Sequence, residues 1–170
     1  MTLTLWQRLD RAGRNLAPFA VTVMLVLVAM VPLHIPAYTQ VAPALTLMSV
    51  YYWVIHRPDL LRPLAVFAIG LLEDLLSGAP LGMNALVLVA AYWVVLSQRR
   101  FFLASTFALL WFGFVMIALG AALLQWAALS AYYATVLPMD AGFHQALLTI
   151  VLFPLFAWLF IRIHRAFLQP

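Results

Sequence analysis

Apolar residues run along this chain in six long blocks, at residues 15–33, 37–55, 62–76, 81–97, 101–126 and 143–163, separated by short polar or prolyl interruptions. A hydrocarbon core about 30 Å thick takes about 20 residues of helix to cross, with a range of roughly 17–25. The pattern predicts an all-α, polytopic integral membrane protein of six transmembrane helices. Almost no chain is left for a soluble domain, so residues 1–170 read as one transmembrane domain with a short cytoplasmic segment, 1–14, ahead of it.

The blocks are unequal. At 1.5 Å per residue the third reaches only roughly 20 Å, and the fourth is also short if it begins after Gly82. The fifth is long enough to tilt or project outward. Residues 131–142, with Tyr132, Tyr133, Pro138 and Asp140, read as an interfacial segment on the outer face. Pro154 should kink the sixth helix and leave the carbonyl four residues earlier in need of another donor.

The short third and fourth blocks meet in Gly70-Leu71-Leu72-Glu73-Asp74-Leu75-Leu76-Ser77-Gly78-Ala79-Pro80-Leu81-Gly82-Met83-Asn84. A carboxylate among such neighbours costs roughly 2.5–3.5 kcal/mol on insertion scales unless it faces protein or water. Gly78, Pro80 and Gly82 break the helix, and lipid cannot satisfy the backbone groups so released. The segment predicts a broken element between the third and fourth helices, set in a protein-lined recess. Glu73 and Asp74 are about 100° apart on a helix and cannot converge on one substrate as an acid–base pair. At least one of them is expected to accept hydrogen bonds from backbone N–H groups at the start of the next helix, where the dipole favours negative charge.

Composition and charge sharpen this reading. The chain is 67% hydrophobic and 8% charged, where a soluble domain carries roughly 25% charge. All nine cations are arginine, and there is no cysteine, which excludes disulfides and thiolate sites. Arg8, Arg11 and Arg14 precede the first block, Arg57 and Arg62 follow the second, Arg99 and Arg100 follow the fourth, and Arg162 and Arg165 close the chain. All fall at one membrane face, and the opposite loops carry Glu73, Asp74 and Asp140. The positive-inside rule then puts both termini in the cytoplasm. This distribution answers to membrane topology and not to nucleic acid. The N-terminal apolar stretch is too long for a signal peptide and lacks an A-x-A-like site, so it should stay as the first helix. Leu5, Trp6 and Leu9 make its approach either an amphipathic segment lying along the membrane surface or a frayed charged tail.

No catalytic or cofactor motif emerges. His34, His56, His144 and His164 lack metal-ligand spacing, and no G-x-S-x-G, Walker or Rossmann pattern occurs. Asp140 and His144 are four apart, but loop polarity accounts for both. Tyr51-Tyr52-Trp53, Tyr92-Trp93 and Tyr132-Tyr133 read as interface belts. Gly113 with Gly120, and Ala118 with Ala122, mark faces of the fifth helix for close helix contact.

Taken together, Tyr51-Tyr52, Arg57-Pro58, the run Phe67 to Gly82 and Phe153-Pro154 with a basic tail resemble MreD, the rod shape-determining membrane protein family. The family's Gly–apolar–apolar–x–Asp–Leu stretch, Ser/Gly turn and Leu-Gly fall on Gly70, Asp74, Leu75, Ser77, Gly78, Leu81 and Gly82, with Pro80 inside the turn. Glu73 stands at a variable position of that pattern, which makes Asp74 the bearer of the shared role. The resemblance implies a non-enzymatic component of the bacterial cell-elongation machinery, in the inner membrane, without cofactor. Its implied partners are MreC and, through it, cytoskeletal MreB and RodA with its transpeptidase. The family is also similar in fold to the substrate-binding subunits of energy-coupling-factor vitamin transporters. The alternative implied by that likeness is a small-molecule site opening outward near Glu73, Asp74 and Asn84.

Overall fold

A computed structural model of the chain describes residues 18–29, 42–103 and 106–168, with the side chains of 103 and 164–168 set aside. The described residues form six helices and no strand: α1 (Pro18–Ala29), α2 (Leu45–His56), α3 (Pro63–Ser77), α4 (Met83–Leu103), α5 (Phe107–Tyr133) and α6 (Asp140–Leu168). Three of them, α4, α5 and α6, are long and apolar enough to cross a membrane. Of the shorter helices, α2 packs against α4 and α6, α3 packs against α4, and α1 meets α2 where the Thr22 and Ser49 hydroxyls bond at 2.7 Å.

α2 is the centre of the bundle. Every residue from Leu45 to Ile55 is buried, as expected of a helix apolar on all sides. Its 12 residues are fewer than the block at 37–55 predicted, because a tight turn at Pro43 and Ala44, closed by the Leu45 N–H donating to the Pro43 carbonyl at 2.9 Å, precedes the first helical turn. The expected aromatic belt at Tyr51-Tyr52-Trp53 is instead core, with the three rings at most 3% exposed. Tyr51 stands edge-on to Phe102, Phe114 and Phe153, and its hydroxyl donates to the Leu110 carbonyl at 2.8 Å. That bond satisfies the polar end, so the ring needs no interface. Tyr92 is buried as well, while Trp93, Tyr132 and Tyr133 are exposed.

Other boundaries differ for local reasons. α3 ends within a residue of its block. α4 has 21 residues and is not short. It continues through Arg99, whose Nε donates to the Ile55 carbonyl at 2.7 Å and closes the end of α2. α5 ends at Tyr133 and α6 starts at Asp140, so half of the segment expected at 131–142 is helix and only 134–139 connects. That connection folds onto α5: Trp126 Nε1 donates to the Leu137 carbonyl at 2.9 Å, and the Thr135 N–H to that of Ser130 at 3.1 Å. Pro154 lies inside α6, and the carbonyl it cannot bond, that of Ile150, accepts from Trp111 Nε1 at 3.2 Å. His144 turns a ring nitrogen to the backbone carbonyl of Asp140, not to its carboxylate.

The up-and-down order gathers charge by end. Arg57, Arg62, Arg99, Arg100 and Arg162 lie at one end of the described helices, with Asp59 at 3.5 Å from Arg57. Glu73, Asp74 and Asp140 lie at the other, where the Ala44 N–H donates to Thr149 and Gln145 donates to the Ala42 carbonyl. The expectations for Leu5, Trp6, Leu9, His34 and the side chain of His164 fall outside the described residues.

Of the two glycines paired on α5, one is packed and one is open. A methyl on Gly113 would come within 2.3 Å of the Phe102 ring and 2.9 Å of the Tyr51 hydroxyl, whereas one on Gly120 meets nothing within 4 Å. Gly113→Ala should therefore lower thermal stability in detergent by about 1–3 kcal/mol. Gly120→Ala should be neutral or stabilise by up to about 1 kcal/mol. Melting curves of the two purified variants check this.

Candidate functional site

The turn between α3 and α4 is built by a clasp. α3 stops at Ser77 because Gly78 follows in the left-handed region at φ 69°, and Gly82 takes φ 95° before α4 begins. Both conformations suit glycine, which carries no Cβ. The first turn of any helix leaves backbone N–H groups without helical acceptors. Here Asp74, fully buried, reaches across from α3 and accepts two: Gly82 N–H to Oδ2 at 2.8 Å and Asn84 N–H to Oδ1 at 2.9 Å. The carboxylate thus caps α4 from a neighbouring helix, at the end where the dipole favours it. The Pro80 carbonyl accepts from the Met83 N–H at 3.2 Å, and Ser77 Oγ donates to the Asp74 carbonyl at 3.4 Å.

One helical turn earlier, Gly70 sets the distance between α3 and α4. A Cβ there would lie 2.3 Å from the Ala85 Cα, so only glycine permits this approach. Leu75 and Leu81 point away from the bundle at 67% and 69% exposure, with Leu76 exposed beside them.

Glu73 faces another way. It lines a recess of about 60 Å³ with Asn84 of α4, Gln125 of α5, Gln145 and Thr149 of α6, and Ala44 and Leu47 at the start of α2. Gln125 Nε2 donates to Asn84 Oδ1 at 3.4 Å, and Thr149 Oγ1 donates to the Gln145 carbonyl at 2.6 Å. The buried Thr46 hydroxyl lies beside the Glu73 carboxyl without a partner at hydrogen-bonding geometry. Among the described residues no group of three or more His, Cys, Asp or Glu side chains could hold a metal ion.

The structure therefore brings together Gly70, Glu73, Asp74, Leu75, Ser77, Gly78, Pro80, Leu81 and Gly82. Arg57 and Pro58 lie at the opposite end, where the Arg57 N–H donates to the Trp53 carbonyl at 2.7 Å and ends α2. Pro154 belongs to the α5–α6 packing. Sequence reasoning missed Gln125, Gln145 and Thr149. Their signal was available, since two glutamines inside apolar blocks are anomalies of the same kind as the carboxylates.

The run that carries the clasp is the run that carries the family resemblance, and the family profile for rod shape-determining protein MreD matches residues 11–164. The chain belongs to the MreD family. It is a rod shape-determining membrane protein. Comparison with curated proteins and with solved structures finds no match.

Asp74→Ala strands two backbone donors, each worth about 1–3 kcal/mol when left buried without an acceptor. It should lower the melting temperature and the folded yield in membranes. Asp74→Asn keeps one acceptor oxygen and should fall between Asp74→Ala and the parent, while Glu73→Gln should be the mildest of the three. Fluorescence-detected size exclusion of the three variants gives the ranking.

Proposed function

We propose that this MreD-family protein is a non-enzymatic scaffold of the cell-elongation machinery, seated in the inner membrane with both termini cytoplasmic. It would bind MreC and, through it, work with MreB, RodA and its transpeptidase in directing peptidoglycan synthesis. The family match over 11–164 carries the reading. Six crossings are part of it: the shorter α1, α2 and α3 would complete passes beside the three long helices. The arginine-bearing end is the cytoplasmic one.

The contact surface would be the outer end. There the clasp holds the α3–α4 turn rigid while Leu75, Leu76 and Leu81 remain exposed, and the α5–α6 connection exposes Tyr132, Tyr133, Val136 and Met139. Exposed apolar groups gathered beside a fixed turn suit a protein partner. The transporter-like alternative finds less support, since a recess of about 60 Å³ is a fraction of the roughly 300–1,000 Å³ of small-molecule pockets.

Two measurements test this reading. A cysteine at Ala141 should react with an impermeant thiol reagent from outside intact cells and one at Gln98 should not; labelling at Gln98 would overturn the topology. Tagged protein should recover MreC from detergent extract. Charged substitutions at Leu75 and Leu81, or replacement of 134–139, should lower that recovery without lowering the melting temperature. Undiminished recovery from both variants would move the contact to the helix faces.

A further inference from the structure

The clasp uses Asp74 and leaves Glu73 with a charge that nothing nearby balances. Among the described residues Glu73 has no ion pair, and no arginine or histidine lines its recess. The described arginines lie at the far end of the bundle. A carboxylate enclosed by helices without a counter-charge is unstable unless a cation or a proton joins it.

The neighbouring groups can coordinate a cation. Gln145 commits an amide N–H to the Ala42 carbonyl at 2.9 Å, and Gln125 commits one to Asn84 Oδ1. Each amide keeps its carbonyl oxygen, alongside a second N–H, to turn toward the recess. The Thr149 hydroxyl is taken up, accepting from the Ala44 N–H and donating to the Gln145 carbonyl. The Thr46 hydroxyl, 1% exposed, lies beside the Glu73 carboxyl and outside the lining of the recess. Asp74 adds negative potential from the next position along α3.

Size and charge narrow the class. A water occupies about 10–15 Å³ of such a volume, so a recess of about 60 Å³ holds a small ion with a few waters and excludes a large organic ligand. One carboxylate among neutral oxygens is too little for Ca²⁺ or Mg²⁺, which draw on several carboxylates or on a rigid octahedral set.

We propose that this recess binds a compact monovalent cation, either an alkali ion or a primary ammonium group, with the Glu73 carboxylate as counter-charge and side-chain oxygens of Asn84, Gln125 and Gln145 as neutral ligands. The inference stands apart from MreC binding, because it concerns the folded chain alone.

The test is thermal unfolding of the purified full chain in detergent, in sodium chloride, methylammonium chloride or tetramethylammonium chloride at equal ionic strength. Relative to tetramethylammonium, which is too large for the recess, sodium or methylammonium should raise Tm saturably, by roughly 5 °C at a hundredfold excess over Kd. A rise with sodium alone assigns an inorganic ion. A rise with methylammonium assigns a primary ammonium, such as a lipid headgroup presents. Glu73→Gln should abolish the rise, and Gln125→Leu should weaken it at least tenfold in concentration dependence, which keeps a readout if Glu73→Gln folds poorly. Equal Tm in all three salts for the parent, or an ion-specific rise that survives both substitutions, would overturn the proposal in favour of a protonated, ion-free carboxyl.

Discussion

Lipid provides no hydrogen-bond partner, so each place where this backbone leaves helical geometry inside the bundle must be answered by another part of the protein. The Asp74 carboxylate is the central instance. It joins the last turn of α3 to the first turn of α4 through two backbone donors, and Gly70 lets the two helices close to contact along the same edge. Because α4 also packs against α2 and α5, this single join fixes where α3 sits on the whole bundle. It also sets the position of Asn84, whose backbone belongs to the clasp and whose side chain lines the recess.

The same rule recurs away from the turn. Ile55 at the end of α2 and Ile150 before Pro154 each present a carbonyl that helical bonding does not satisfy, and each receives a long side chain from a different helix, Arg99 and Trp111. Tyr51 inverts the relation: a buried ring with a polar end finds the Leu110 carbonyl. These bonds run between helices rather than within them, so they hold the bundle together where the hydrophobic effect is weak, since lipid tails are as apolar as the helix faces.

The sequence made legible whatever depends on local chemistry. Gly78 and Gly82 announced the break because few other residues accept their backbone angles, and a carboxylate just before a helix break in an apolar setting has few uses other than capping the helix that follows. The spare carbonyl near Pro154 followed from the missing N–H alone. What stayed hidden depends on which helix lies in the middle. Tyr51, Tyr52 and Trp53 have the composition of an interface belt, and only the central position of α2 makes them core. The end of α4 and the start of α5 were misplaced for a related reason: arginines at 99 and 100 suggest a boundary, yet Arg99 is drawn into the helix by a carbonyl on α2 that no local pattern reveals. Gly113 and Gly120 look alike in sequence and differ only in what the fold puts opposite them.

The heights of the helices shape the end that carries Glu73, Asp74 and Asp140. Gln125 bonds to Asn84, so α5 passes the start of α4 near that residue and then runs on to Tyr133, roughly 12 Å further at 1.5 Å per residue. The α3–α4 turn is thus a ledge and the α5–α6 hairpin a wall rising beside it. Bonds from Trp126 and Ser130 to the connecting residues brace that wall. The recess lies at the foot of the step, where Glu73 and Asn84 of the ledge meet Gln125 and Gln145 of the wall. A partner that rested on Leu75 and Leu81 while leaning on Tyr132 and Val136 would bridge ledge and wall, and their relative height is held by groups that also line the recess. Any ligand of Glu73 is then coupled to the surface above it through Asn84, a link as strong as the difference in its affinity for the two arrangements of the step.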